Sequence, residues 1–291
     1  MEETPFKRFI TDFRASRLAM AGAVALLVVI FIALFAPLIS PQNPYDLSQL
    51  DILDARLAPG EKLGNGHTAL LGTDDQGRDM LSAIFYGLRI SLTVGVSATL
   101  AGLIIGAVVG MLAAYAGGRT DSVLMRIADI QLSFPSILIA LVLLAVLGQG
   151  TGKIIIALIT VQWAYYARTI RGTALVERRR EYIEAARVLA LPASRIVFRH
   201  LLPNCLPPLI IIAVVQMASA ITLEATLSFL GLGLPITEPS LGLLIANGFN
   251  YLLSGKYWIS LFPGIALLIT IVAINLVADQ LRDVLNPRLQ K

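Results

Sequence analysis

Residues 177–204 read ERRREYIEAARVLALPASRIVFRHLLPN and form a charged block between two apolar runs of the chain. The block is rich in arginine, and the Lys and Arg residues of membrane proteins concentrate in loops on the cytoplasmic side. We therefore expect this charged block (residues 177–204) to be a cytoplasmic loop that docks on a partner. The apolar runs on either side of it are expected to cross a bilayer.

The composition is typical of a protein that crosses the membrane several times. Hydrophobic residues make up 56% of the 291 positions, charged residues only 14%, and the mean hydropathy is +0.77. Soluble domains contain about a quarter charged residues. The net charge of +4 sits in particular loops, which indicates orientation in a membrane rather than nucleic-acid binding. The single Cys205 and the well-separated His67 and His200 suggest neither a disulfide nor a metal site.

Six apolar runs are predicted to span the bilayer. In chain order they cover residues 18–39, 90–118, 124–147, 154–167, 205–223 with a continuation through Glu224, and 257–278. The first is too long for a cleaved signal peptide and is expected to be retained. The third contains Pro135, which is expected to kink it. The fourth gives only about 21 Å of helix and must extend into its flanks to cross a core of about 30 Å.

The connections between these runs predict the topology. Of the 23 Lys and Arg residues, 17 lie in the segments assigned to the inside, namely 1–17, 117–129, 168–204 and 279–291. This asymmetry predicts an all-α membrane protein of six transmembrane helices with both termini in the cytoplasm. The outer segments are expected to hold a short helix over 80–86, capped by Thr73 or Asp74, and a re-entrant or interfacial helix within 231–256.

The predicted organisation has three parts. Residues 1–89 contain the N-terminal tail, the first span and an exterior segment. Residues 90–285 form a core of five spans that includes a loop at about 172–204, and residues 286–291 form a C-terminal tail. In the second span, Gly102, Gly106 and Gly110 repeat every four residues, so we expect this face to pack closely on another helix rather than line a pore.

Within the charged block we predict one helix over residues 181–190 and another over 194–201. They are separated at Leu191 and Pro192, because the residue before a proline avoids helical angles. Ile183, Ala186 and Ala190 have the spacing with which an apolar helix face enters a groove of a partner. The surrounding arginines have two open interpretations, which are topological anchoring and pairing with a partner or with lipid headgroups.

The same residues carry a resemblance to a known family. Glu184, Ala185 and Ala186 begin, and Leu202 and Pro203 end, a stretch that resembles the EAA-x3-G-x9-I-x-L-P signature of ABC-importer permease subunits. Ala190 stands at the usual glycine and His200 at the usual isoleucine. The segments LGTDDQGRDMLSAIFYGLRISL, AGGRTDSVLMRIADIQLSFPSILIAL and TLEATLSFLGLGLP are similar to the peptide and nickel branch of that family, the DppC/OppC type.

The resemblance implies a type I ABC-importer permease fold in a bacterial cytoplasmic membrane, with a coupling helix that enters a cleft of a cytoplasmic ATPase. The residues that the resemblance assigns to this coupling are Ile183, Glu184, Ala185, Ala186, Leu189, Ala190, Leu202 and Pro203. The chain has no G-x-x-x-x-G-K-[ST] segment, so it is expected to be non-catalytic, with ATP and Mg bound by partner subunits.

The implied partners are a second permease subunit of the DppB/OppB type, two cytoplasmic ATPase subunits, an extracytoplasmic substrate-binding protein and the lipid bilayer. The expected cargo is a dipeptide or oligopeptide, with nickel or another small solute as the alternative.

The candidate pathway residues are Glu224, Gln216 and Gln162. Glu224 is an acid within an apolar run, and such a group is a candidate for function, although pairing within the protein explains it as well. Two other classes of function are disfavoured. A secondary transporter would need several buried charges or an internal repeat, and an intramembrane enzyme would need a nucleophile with a base or a metal site.

Overall fold

A computed structural model of the chain describes residues 5–285, so the predicted tail over 286–291 lies outside the described residues. Residues 5–285 form α-helices and loops, with no β-strand beyond two isolated bridges. The α-helices are α1 (Pro5–Ala15), α2 (Arg17–Ile39), α3 (Met80–Ala116), α4 (Gly118–Leu132), α5 (Ser136–Leu147), α6 (Thr151–Glu177), α7 (Glu181–Val188), α8 (Ala193–Arg195), α9 (Leu202–Phe229), α10 (Leu241–Phe249) and α11 (Trp258–Leu285).

Several of these helices are suited to a bilayer by length and composition. Among the described residues, α2, α3, α11 and the continuous stretch Ala193–Phe229, which joins α8 to α9 through a π-helical turn, are long and apolar enough to cross a membrane. The bent pair of α4 and α5 gives a fifth span if it is counted as one. The structure is thus all-helical with four or five apolar spans.

Helix α3 begins at Met80, within the segment predicted to be exterior, and is longer than predicted. The Asp79 carboxylate caps it by accepting a hydrogen bond from the Ser82 N–H at 2.8 Å. The prediction of a separate short helix over 80–86, capped by Thr73 or Asp74, is therefore wrong. Both residues are used elsewhere, because the Thr73 hydroxyl donates to the Asp54 carbonyl and the Asp74 carboxylate accepts from the guanidinium of buried Arg78. The predicted boundary at residues 89 and 90 falls inside α3.

The glycine face of α3 packs directly on α6, as predicted. A Cβ at Gly102 would lie 3.3 Å from the ring of a tyrosine on α6. At Gly106 and Gly110 it would collide with main-chain atoms, namely the carbonyl oxygens of Trp163 and Ala167. Only glycine lets the two backbones approach this closely. The contact joins the second long helix to the helix that leads into the charged block.

The chain breaks completely at Pro135, where the sequence predicts a kink. Helices α4 and α5 meet at 88° across residues 133–135. Pro135 stands at the N-cap of α5 in an extended conformation, and it has no N–H with which to continue α4. The first half of the predicted third span is therefore a separate helix that carries charged residues, among them Asp121 and Asp129.

Helix α6 extends the short fourth apolar run at its C-terminal end, as expected. It has 27 residues, or about 40 Å of helix, and reaches Glu177 at the start of the charged block. Arg171 binds Asp121 of α4 through two nitrogen–oxygen contacts of 2.6 Å, and Arg168 binds Asp129 at 3.1 Å. These ion pairs hold α4 beside the polar half of α6.

The last part of the chain also agrees with the predicted order. Helix α10, capped by the Ser240 hydroxyl, lies within the region predicted to contain a re-entrant or interfacial helix. Helix α11 starts at Trp258, one residue after the predicted start of the sixth span, and continues to Leu285. The Trp258 ring N–H donates to the Thr73 carbonyl, so the exterior segment is fastened to the beginning of α11.

We predict that Gly106→Leu lowers the stability of the folded protein strongly, because the added side chain collides with the α6 backbone. Overpacking of this kind costs about 1 to 3 kcal/mol or more. Gly172→Ala is the matched control, since Gly172 is inside α6 and a Cβ there meets no atom within 4 Å. It should leave stability unchanged or raise it slightly. Thermal unfolding of the purified protein in detergent measures both, and equal midpoints would contradict the packing argument.

Candidate functional site

The charged block folds as a short helix held on the ends of α3, α6 and α9. Helix α7 begins after Arg180, and Glu181 and Glu184 lie in its first turn, where carboxylates are favoured by the positive end of the helix dipole. Ile183 and Ala186 point inward and pack in a buried cluster with residues of α6 and α9, including Ile170 and Cys205. One face of α7 is therefore part of the core of this chain.

The inward packing corrects the register inferred from the sequence. Ile183 and Ala186 are 0% and 4% exposed, so they do not present an apolar face to a partner. The outer surface of α7 and its C-terminal end instead carries Val188 and Leu189, which are 86% and 72% exposed. The side chains of Glu184, Ala185 and Ala190 are exposed as well. These five residues form what we call the α7 tip: Glu184, Ala185, Val188, Leu189 and Ala190.

Helix α7 ends in a Schellman motif centred on Ala190. The Leu191 N–H donates to the Ala186 carbonyl at 3.2 Å, and the Ala190 N–H donates to the Arg187 carbonyl at 2.9 Å. This pattern requires a left-handed residue at the position after the cap. Ala190 adopts it, with φ of 53°. The alanine thus takes a left-handed conformation that glycine adopts without strain.

Polar contacts fix the block to the neighbouring helices. The Tyr182 hydroxyl donates to Glu177 at 2.8 Å and accepts from the Asn204 side chain at 3.1 Å. Partial burial, together with Glu177, raises the pKa of Tyr182 to about 12. The Arg178 guanidinium donates to the carbonyl of Ala114, near the end of α3, at 2.7 Å. These contacts join the block that carries the α7 tip to α3, α6 and α9.

The remaining predicted coupling residues lie at the start of α9. Leu202 is half-buried and Pro203 is exposed. Pro203 lacks an N–H, and the π-helical turn Ile196–Leu201 immediately precedes it. Leu202 packs against the buried cluster that contains Ile183 and Ala186, and neither Leu202 nor Pro203 belongs to the exposed tip.

A cavity of about 470 Å³ lies between α5, α6, α9 and α11. Gln162 and Gln216 both line it, and the Gln162 amide donates to the Gln216 carbonyl at 2.9 Å. The Gln162 side-chain oxygen is buried without a hydrogen-bond partner. The polar groups of the wall are all uncharged at neutral pH: Ser136, Gln162, Tyr165, Gln216, Ser219, Thr222, Thr226 and Asn275. The structure thus brings two of the three predicted pathway residues together.

Glu224 lies on another side of α9 and does not line this cavity. Its carboxylate is fully buried and accepts hydrogen bonds from Ser91 of α3 at 3.0 Å and from Ser228 at 2.8 Å. Thr222 and Thr226, two residues away in each direction, do line the cavity, as expected for a helix with 100° between residues. The geometry favours the pairing interpretation of Glu224 over a role in the pathway.

Sequence reasoning missed most of the cavity wall and, of the five residues of the α7 tip, only Val188, since the other four were among the predicted coupling residues. The signal for the wall is a stripe of uncharged polar residues at helical spacing in α9: Gln216, Ser219, Thr222 and Thr226. The sequence signal for the exposed side of α7 is weaker. Val188 and Leu189 are apolar residues at the end of a helix whose inner face already has Ile183 and Ala186.

Comparisons with known proteins find relatives of nearly the whole chain. Residues 102–291 match the family described as binding-protein-dependent transport system inner membrane component, and residues 4–59 match the N-terminal TM domain of oligopeptide transport permease C. The chain is 41% identical over 289 residues to the dipeptide transport system permease protein DppC of Escherichia coli K12, covering 99% of this chain and 95% of that protein.

Two further relatives and one solved structure agree with these matches. The oligopeptide transport system permease protein OppC of Bacillus subtilis 168 is 37% identical, covering 98% of this chain and 90% of that protein. The di/tripeptide transport system permease protein DppC of Pseudomonas aeruginosa UCBPP-PA14 is 37% identical, covering 99% and 93%. The inward-facing MetNI methionine ABC transporter contains a chain of similar fold, with a TM-score of 0.58 and 22% identity over 70% of this chain and 97% of that chain. The resemblance to DppC/OppC-type permeases is confirmed, and the chain is a multi-pass inner membrane protein.

We predict that Ala190→Gly stabilises the end of α7, because glycine adopts the left-handed conformation without the penalty of about 1 kcal/mol that an L-residue carries. Ala190→Val should loosen the same turn. Ala193→Gly, at an exposed right-handed position in α8, is the matched control and should be slightly destabilising. Hydrogen exchange of the peptide containing Leu191 measures the opening of the turn. If the glycine and valine variants exchange at the same rate, the strain argument is wrong.

Proposed function

Because this chain belongs to the family of binding-protein-dependent transport system inner membrane components, we propose that it is a permease subunit of an ATP-driven ABC importer of peptides. The observation that carries the proposal is the near-full-length identity of 37% to 41% with permeases named for dipeptide, di/tripeptide and oligopeptide transport. The proposed mechanism is alternating access of a pathway that includes the uncharged cavity.

The proposed topology has six spans and both termini in the cytoplasm. The spans are α2, α3, the bent pair of α4 and α5, α6, the continuous α8–α9 stretch, and α11. Helix α6, at about 40 Å, is long enough to cross a core of about 30 Å once its polar half is paired with α4. The excess of Lys and Arg in the segments assigned to the inside supports this orientation.

In this proposal the α7 tip is the surface that contacts the cytoplasmic ATPase subunits. Val188 and Leu189 are exposed apolar side chains on a rigid projection, which is the form that an anchor for a partner's pocket takes. The chain has no phosphate-binding loop motif, so ATP and Mg are assigned to two separate cytoplasmic ATPase subunits. The chain itself is proposed to be non-catalytic.

The other proposed partners follow from the cavity. A second permease of the DppB/OppB type would complete the pathway, and an extracytoplasmic binding protein would deliver the cargo. An uncharged polar wall favours peptides, whose amide groups need hydrogen bonds and whose side chains vary in charge. Nickel import by the same machinery is the alternative cargo. A secondary transporter is disfavoured, since such a site would need charged groups and the described wall of this cavity has none.

We predict that Leu189→Asp abolishes binding to the ATPase while the protein remains inserted in the membrane. The substitution removes an exposed apolar anchor and places a charge in an interface that must be desolvated, which costs several kcal/mol. Leu53→Asp is the control, because Leu53 is even more exposed than Leu189 but lies in the segment predicted to be exterior. Co-purification with the tagged ATPase and ATP-driven uptake in proteoliposomes measure the effect. Equal ATPase binding by both variants would exclude the α7 tip as the contact.

We predict that Thr222→Trp reduces dipeptide uptake roughly tenfold or more, since filling the cavity needs to raise the transport barrier by only 1.4 kcal/mol for that factor. ATPase association should persist, because the α7 tip is unchanged. Ile104→Trp, on an exposed position of α3, is the matched control and should transport normally. The assay uses proteoliposomes supplied with the binding protein and either a labelled dipeptide or a nickel chelate. Uptake of the chelate alone by the unmodified protein would establish the alternative cargo.

A further inference from the structure

A second groove, of about 400 Å³, lies between α2 and α3 on the side of α9 away from the cavity. Its walls are mainly aliphatic, with Leu26, Ile30 and Leu34 from α2 and Leu92 and Val96 from α3. Arg89 is the one charged residue among the described residues that line it. The groove therefore combines a long apolar surface with a single cation.

Arg89 has no counter-ion within the described part of the chain. No carboxylate of residues 5–285 forms an ion pair with it, and its guanidinium makes no hydrogen bond there. An arginine beside a membrane-spanning apolar surface is costly unless an anion or water satisfies its donors. Arg89 is exposed, so an anion from outside residues 5–285 can reach its guanidinium.

The groove and the cavity lie on different sides of α9. Met217 of α9 borders the groove, whereas its neighbours Gln216 and Ala218 line the cavity. Helix α9 thus lies between the groove and the cavity of the proposed pathway. The two helices that form the groove also carry exposed apolar side chains, among them Phe31 on α2 and Leu100 on α3, as expected for a surface in contact with lipid.

Arg89 lies at one end of the groove. Leu34 lies five residues, or about 7.5 Å, before the end of α2 at Ile39, and Arg89 lines the same groove. Arg89 lies on the turn of α3 preceding Leu92 and Val96, so the cation is at the end of the groove that is nearer to the end of α2. The guanidinium is therefore near the C-terminal part of α2, and the apolar walls extend from it toward the middle of α2 and α3.

We infer that the groove between α2 and α3 binds one phospholipid, with its phosphate on Arg89 and an acyl chain along the aliphatic walls. The forked donors of arginine match phosphate oxygens in pairs, and an acyl chain is the bilayer component that fills a narrow aliphatic groove. This site is separate from the proposed transport pathway and does not depend on the identity of the cargo.

Native mass spectrometry of the complete transporter, purified and delipidated in detergent, tests the site with three probes. These are dioleoyl phosphatidylglycerol, dioleoylglycerol without a phosphate, and glycerol 3-phosphate without acyl chains. Phosphatidylglycerol should bind, and Arg89→Gln should weaken its binding about tenfold or more. Lys62→Gln is the matched control, because it removes one exposed cation of the exterior segment, and it should bind lipid normally.

A second variant separates the groove from the cation. Leu34→Trp keeps Arg89 but fills the aliphatic wall, so it should also lose phosphatidylglycerol. Two results would overturn the inference: undiminished lipid binding by Arg89→Gln, or glycerol 3-phosphate competing as well as the intact lipid. Loss of the second permease subunit from the Arg89→Gln complex would overturn it too, since the groove would then be a protein interface.

Discussion

The close contact between α3 and α6 is the constraint on which the other functional features depend. Membrane helices gain little from the hydrophobic effect when they associate, so close packing of backbones must supply the attraction. Gly106 and Gly110 allow that packing, because any side chain there would collide with the α6 backbone. Helix α6 carries Gln162 of the cavity in its middle and leads into the charged block at its end. The positions of the cavity and the block therefore both follow from one helix contact.

The charged block is joined by side-chain contacts to the long helices around it. Arg178 joins it to the end of α3, and Tyr182 joins α7 to Asn204 on α9. The Schellman motif then stops α7 so that Val188 and Leu189 project from a fixed turn. In the proposed function, a partner bound to this tip contacts a block that is joined to α3, α6 and α9, and two of these helices, α6 and α9, line the cavity.

The sequence allowed the helices, their order and the extension of α6 to be predicted, because apolar periodicity and length depend on local residues. The sequence did not determine the break at Pro135, since a proline in an apolar run is compatible with a kink or with two helices. The ion pairs that hold α4 beside α6 join residues far apart in the sequence, so local patterns could not show them. The sequence alone also could not show which face of α7 packs into the protein. Ile183 is apolar whichever way it points, and only packing against α6 and α9 decides that it points inward.

Glu224 illustrates how the arrangement of charge serves transport. A fixed carboxylate about 4 Å from a substrate's ammonium group would attract it by about 4 kcal/mol at an effective dielectric constant of 20, which slows release about a thousandfold. A pathway for peptides of variable charge therefore benefits from a neutral wall. The structure has this feature, because Glu224 is directed away from the cavity and is bound by Ser91 and Ser228, while its neighbours Thr222 and Thr226 present hydroxyls to the cavity. Glu224 thus links α3 to α9 through the hydrogen bond from Ser91, and it places no charge where the substrate would pass in the proposed pathway.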